Sequence, residues 1–106
     1  MALLFLPFSS SAAEVLQIRD STNLQIGDRN RSYTVKLACV EVEPEKELSA
    51  MSWLKSNLKR GKKVNIKPEG LINGSLLARV IIIESKLELG NSLVENRLAK
   101  STCDSA

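Results

Sequence analysis

The sequence predicts a mainly β fold of the α+β kind: a small five-stranded barrel with one helix plugging its mouth and a second helix near the C-terminus. Three observations carry this prediction. Several short runs alternate apolar with polar residues between turn-forming residues, as half-buried strands do. A central stretch switches to helical spacing. The elements follow one another as strand, strand, strand, helix, strand, strand, helix, with no internal repeat or low-complexity linker, an order that suits a small closed barrel.

From Val15 onward, Leu16 and Ile18 fall on one face of the first strand and Gln17 and Arg19 on the other. Asp20, Ser21 and Thr22 form a polar turn. Leu24 and Ile26 then alternate with Asn23 and Gln25 until Gly27 and Asp28 break the pattern, so the first two strands are expected to pair as a hairpin. After a polar loop at 28–31, the stretch from Tyr33 to Val42 is rich in β-branched and aromatic residues. Alternation places Tyr33, Val35, Leu37 and Cys39 on one face and turns Lys36 away from the core.

Glu43 and Pro44 change the period, because Leu48, Met51, Leu54 and Leu58 recur at helical spacing. The expected helix runs from about Pro44 to Arg60. Pro44 suits its first position, Glu45 and Glu47 complement the N-terminal dipole, and Lys59, Arg60 and Gly61 close the C-terminus. Trp53 beside the stripe is expected to anchor the core or its rim. A short strand at Lys63 to Lys67 turns Val64 and Ile66 inward, and 68–74 reads as a loop. Leu76 to Ile83 is nearly continuous in apolar residues and is expected to be the most buried strand. The last helix is expected from about Asn91 to Lys100, with Leu93, Val94 and Leu98 inward, and 101–106 as a frayed tail.

A chain of 106 residues allows one domain. With 43% hydrophobic and 25% charged residues its composition is that of an ordinary globular protein. It contains no His, which removes His-based triads, HExxH zinc proteases and HxE deaminases. Its two cysteines do not suffice for a four-cysteine zinc site. The net charge of +3 is mildly basic.

The apolar run from Ala2 to Phe8, followed by Ser9, Ser10, Ser11, Ala12 and Ala13, reads as the core and cleavage zone of a signal peptide. It is shorter than the roughly 20 residues that cross a bilayer, and Pro7 interrupts it, so no transmembrane segment is expected. This divides the chain into 1–13 as signal peptide or apolar tail, 14–100 as the domain, and 101–106 as the tail. Export to a periplasm, thylakoid lumen or extracellular space follows from the signal reading. No Lys or Arg precedes Arg19, so a cytoplasmic protein with an apolar tail is the alternative. Cys39 and Cys103 suit either compartment. Pairing requires a Cα separation the sequence does not supply, and the apolar strand face favours Cys39 as a small free hydrophobe.

The segments VKLACVEVEPE (35–45), LKSNLKRGKKVNI (54–66), NGSLLARVII (73–82) and LVENRLA (93–99) together resemble the staphylococcal nuclease-like family of OB-fold barrels, over roughly residues 15–100. The resemblance implies an OB-fold barrel. In that family's nucleases a calcium ion, a glutamate that activates water and two arginines cleave phosphodiesters. By position, the first arginine falls on Lys36, which keeps the charge but loses the bidentate fork. The second falls on Ser75, which carries no charge. The calcium-holding aspartate of the family's first turn falls on Ser21, beside Asp20. The Asp-Thr-Pro-Glu motif appears, with one extra residue, as Glu41 to Glu45, so Glu45 matches the water-activating glutamate and Glu41 the second metal carboxylate. Arg79 shares a strand face with Ser75, but four extended residues separate them by about 13 Å.

The resemblance therefore implies a nuclease-like domain that has lost phosphodiesterase activity and acts as a binding or assembly module for a protein partner, with no cofactor. A weak calcium-dependent extracytoplasmic nuclease, using Asp20, Glu41 and Glu45, is one alternative. A non-catalytic single-stranded nucleic-acid-binding module is the other. Its candidate contacts are Lys55, Lys59, Arg60, Lys62, Lys63 and Lys67, with base stacking left to Tyr33 or Trp53.

Overall fold

The computed structural model describes residues 13–103. The apolar run and small-residue stretch up to Ala12, and the final residues from Asp104, lie outside the described residues. The strands are β1 (Ala13–Ile18), β2 (Asn23–Asp28), β3 (Arg31–Leu37), β4 (Val40–Glu41), β5 (Lys63–Ile72), β6 (Ser75–Ile82) and β7 (Lys100–Ser101). A single 3-10 turn, Pro44–Lys46, leads into α1 (Glu47–Asn57), and α2 (Leu89–Glu95) precedes β7.

Five strands close a barrel in the order β1-β2-β3-β6-β5. Alternation sets the register: β2 pairs antiparallel with β3, Leu24 opposite Val35 and Ile26 opposite Tyr33. β3 and β6 run parallel, Val35 beside Leu76 and Leu37 beside Ala78, as the long crossover through α1 and β5 permits. Ala13 opposite Val64 and Glu14 opposite Lys63 close the ring. The result is an OB-like barrel, mainly β, with one helix between the third and fourth barrel strands and one near the C-terminus. β4 and β7 form a separate two-stranded sheet.

The core is continuous. Leu24, Ile26, Val35, Leu37, Val64 and Val80 fill the barrel, Ala50, Leu54 and Leu58 enter from the α1 end, and Leu89 and Leu93 from α2. Trp53 packs half-buried against this cluster, as a rim anchor.

Several elements differ from the sequence reading. A bulge between Val15 and Gln17 inserts a residue into β1 and changes which side chains face inward. Val15 is therefore in the core, while Leu16 lies over Gly27, whose missing Cβ would stand 3.0 Å from a Leu16 methyl. The strand expected to run to Val42 stops at Leu37, because Cys39 takes a φ of 68° in a turn before β4. Cys39 is thus not on a core-facing strand.

The predicted helix 44–60 begins as a 3-10 turn and ends at Asn57, and Gly61, at φ 90°, belongs to the turn after it. Its inward stripe is Ala50, Leu54 and Leu58, whereas Leu48 is 81% exposed. The expected loop 68–74 is mostly strand. β5 continues to Ile72 past a bulge between Pro68 and Gly70, which accommodates a proline in the ladder. β6 alternates, with Ala78, Val80 and Ile82 buried, because its outer face is only half-covered.

The second helix lies at 89–95, earlier than expected. The tail is not frayed through its length: Ser101 pairs with Val40 and Lys100 with Glu41, and Cys103 is bonded to Cys39. Ala13, placed with the leader by sequence, is the first residue of β1.

Candidate functional site

The polar turn between β1 and β2 is built around Asp20. Its Oδ1 accepts from the backbone N–H groups of Thr22 and Asn23, both at 2.9 Å. The Asn23 side-chain amide donates to both carboxylate oxygens, at 2.9 and 3.1 Å. Burial works against the charged carboxylate, but these hydrogen bonds and the nearby Lys36 charge outweigh it and hold Asp20 below the usual aspartate range. The turn is also fastened from outside. Glu47, in the first turn of α1, accepts from the Ser21 N–H at 2.9 Å and from the Ser21 hydroxyl, and Leu37 donates to the Thr22 carbonyl at 2.8 Å.

Lys36 lies at this turn. It faces Asn23 across the ladder, and its Nζ is 3.4 Å from Thr22 Oγ1. Ser75 opens β6 just after the turn at Asn73 and Gly74, whose φ values of 51° and 84° suit a tight hairpin. Because Lys36 is paired with Leu77, Ser75 lies on the same outer face, about 7 Å upstream along the neighbouring strand. The barrel thus sets Lys36 and Ser75 on one face, the two positions for which the resemblance implied arginines; one holds a lysine and the other no charge.

Glu41 and Glu45 are exposed, Glu41 opposite Lys100 and Glu45 in the 3-10 turn. Glu43, between them, accepts from Lys100 at 2.8 Å, a hydrogen bond and charge that hold its carboxyl below the usual range. Among the described residues no three His, Cys, Asp or Glu side chains converge as a metal site would require. Calcium takes about 6–8 oxygen ligands. Here both Asp20 oxygens serve the turn, Glu47 serves Ser21, and a lysine ammonium stands beside them. This donor set does not fit calcium.

The basic residues expected to form one cluster are spread over different tasks. Arg60 donates to the Leu16 carbonyl at 3.0 Å. Lys62 pairs with Glu84 at 2.8 Å and Lys63 with Glu14 at 3.5 Å. Lys67 is exposed on the outer face of β5, opposite Arg79. Lys55 and Lys59 share a shallow depression along α1 with Leu48 and Met51. A second groove runs between the β2–β3 and β5–β6 hairpins, lined by Arg31, Tyr33, Leu71 and Leu76. Leu71 is 80% exposed there. Burial, then the Asp28 charge, push the Tyr33 hydroxyl upward, and Arg31 offsets part of this.

One constellation is absent from the sequence reading. A cavity of about 500 Å³ between β4, β7 and α2 is lined by Cys39, Val40, Arg79, Glu88, Asn91 and Cys103, among others. Gly90 lets α2 approach its wall, since a Cβ there would stand 3.1 Å from Val40. Each nitrogen of the Arg79 guanidinium has its own neighbour. Nε donates to Glu69 at 2.7 Å, Nη1 lies 3.9 Å from Glu88, and Nη2 lies 3.5 Å from Cys39 Sγ. Burial pushes the Glu88 carboxyl up. Arg79 opposes that shift and the Glu69 charge adds to it.

No sequence signal joined these residues. Arg79 reads locally as the one charged residue of a nearly continuous apolar strand, and the disulfide spans 64 residues. Compared with models of known protein families and with curated proteins, the chain matches none.

Proposed function

We propose that this chain is a nuclease-like OB-fold domain that has lost phosphodiesterase activity and serves as a binding or assembly module. The observation that carries the reading is the Lys36–Ser75 face. Where the resemblance calls for two guanidinium forks around a phosphate, there is one ammonium, held near Thr22, and one hydroxyl. In the neighbouring loop Asp20 is taken up by hydrogen bonds from Thr22 and Asn23, and Ser21 is tied to Glu47 of α1. Loss of preorganised charge at a transition state costs orders of magnitude in rate. Arg79 does not substitute, because its fork is occupied by Glu69, Glu88 and Cys39.

Two surfaces support a binding role: the α1 face with Leu48, Met51, Lys55 and Lys59, and the groove at Tyr33 and Leu71. The Cys39–Cys103 disulfide supports an oxidising, extracytoplasmic setting, in keeping with a signal peptide at the N-terminus. The test is phosphodiester cleavage of single-stranded DNA and RNA in calcium. The expected rate equals that of buffer. A chelation-sensitive rate that Glu45→Gln removes would overturn the reading in favour of a weak nuclease.

The Tyr33 groove favours one second reading, a module that holds single-stranded nucleic acid without chemistry. Arg31 meets the phosphates and Tyr33 offers a partly covered ring for stacking. This reading expects binding to an oligonucleotide that weakens steeply with salt and is lost in Tyr33→Ala. Absence of binding at low salt would eliminate it.

A further inference from the structure

We propose that the Cys39–Cys103 disulfide is a reducible latch, attacked at Cys103 and assisted at Cys39 by Arg79, whose opening releases β7 and one wall of the adjoining cavity. This inference does not rest on the nuclease-like reading.

Besides its contact with the preceding α2, little but the disulfide holds β7. It makes one two-residue ladder with β4, and Thr102 donates to the Cys39 carbonyl at 2.9 Å. The Lys100–Glu43 pair adds a contact whose lysine side chain is 65% exposed. Two strands of two residues are not stable alone in water, and an exposed ion pair contributes little. The covalent bond closes the remainder.

The two sulfurs are not equivalent. Cys103 is exposed and Cys39 is half-buried, so an incoming thiolate reaches Cys103 more easily. The departing sulfur is then Cys39, which faces Arg79 Nη2 at 3.5 Å. Glu69 holds Nε at 2.7 Å and Glu88 lies 3.9 Å from Nη1, while Nη2 faces the sulfur. A guanidinium favours the thiolate over the thiol, and a better-stabilised leaving thiolate departs faster.

The reductant is a dithiol. One of its thiolates bonds to Cys103 Sγ as the Cys39–Cys103 bond breaks, and that bond's electron pair goes to Cys39 Sγ. The reductant's second thiolate then attacks its own sulfur in the mixed disulfide and releases Cys103. The reductant leaves as a disulfide, oxidised by two electrons, and its two protons pass to the protein sulfurs. Val40, Glu41 and residues 100–103 lose their covalent tie, and the cavity beside Arg79 and Glu88 opens on that side.

The test uses full-length oxidised protein and glutathione as a monothiol probe, with N-ethylmaleimide to trap the released sulfur, followed by peptide mapping. Glutathione is expected on Cys103 and maleimide on Cys39. Arg79→Gln is expected to slow the reaction roughly three- to tenfold, Arg79→Lys to retain most of the rate, and all three proteins to react equally in concentrated urea. Glutathione chiefly on Cys39, or a folded Arg79→Gln that reacts at the wild-type rate, overturns the assisted attack. Should Arg79→Gln fail to fold, the wild-type mapping and Arg79→Lys still decide. After dithiothreitol reduction, amide exchange is expected to accelerate at 40–41 and 100–102 while β2 and β3 stay protected. Unchanged protection at 100–102 overturns the latch.

Discussion

Glu47 grips Ser21 twice, accepting from its backbone N–H at 2.9 Å and from its hydroxyl, and so ties the β1–β2 turn to the first turn of the helix. Ser21 is only 2% exposed, so both its donors need this partner. A loop that would otherwise be free to gather around a ligand is fastened to the scaffold.

Glu47→Ala is expected to destabilise the fold by about 1–3 kcal/mol, because two donors at a buried residue lose their acceptor. Glu47→Gln, which keeps an acceptor, is expected to cost less. Denaturant titration of the three proteins checks the order, and equal stability of Glu47→Ala and wild type would show the tie to be idle.

Asp20 predicts a pH dependence. Its carboxyl is held below the ordinary range in the folded state, so the unfolded chain binds the proton more readily. The stabilisation is therefore fully present above the ordinary aspartate range and is lost as pH falls through the lower, folded value. Asp20→Ala is expected to cost about 1 kcal/mol at pH 7, a hydrogen-bond figure reduced for partial exposure. The gap to wild type should close at low pH. A gap that widens on acidification would contradict the sign.

Leu37 and Lys36 test the strand register. Leu37 is 2% exposed, and Leu37→Ala is expected to destabilise by about 2–5 kcal/mol. Lys36 points outward beside Thr22, and Lys36→Ala is expected to change stability by less than about 1 kcal/mol. Reversal of these two in a urea titration would mean a one-residue slip of β3 and remove Lys36 from the face it shares with Ser75.

The barrel was legible where alternation runs undisturbed, as at Leu24, Ile26, Val35 and Leu37, since a period of two names the buried face directly. The pattern misleads where one residue breaks the period. The bulge after Val15 and the left-handed turn at Cys39 leave no trace in an apolar–polar pattern, which therefore sets Leu16 beside Ile18 and Cys39 beside Leu37. Leu48 and Met51 match a helical stripe by hydrophobicity alone, whereas Ala50, small and fully buried, marks the inner side.

The candidate site divides along the same line. The outward turn of Lys36 follows from alternation along its strand, whereas its place on one face with Ser75 comes from the parallel pairing of β3 with β6. The Ser21–Glu47 tie, the Arg79 fork and the disulfide join residues far apart in the chain, and only closure of the barrel brings them together.

Whether the β1–β2 turn beside Lys36 is satisfied by the protein's own hydrogen bonds, or holds the ion that a working nuclease needs, is read from the thermal midpoint in calcium. A ligand that binds only the folded state at ten times its Kd adds about 1.4 kcal/mol, or several degrees for a domain of about 100 residues. The midpoint in 10 mM calcium, about ten times a millimolar Kd, is expected to match that in sodium chloride of equal ionic strength. A saturable rise of several degrees in calcium, abolished by Asp20→Asn, would show that the turn holds an ion.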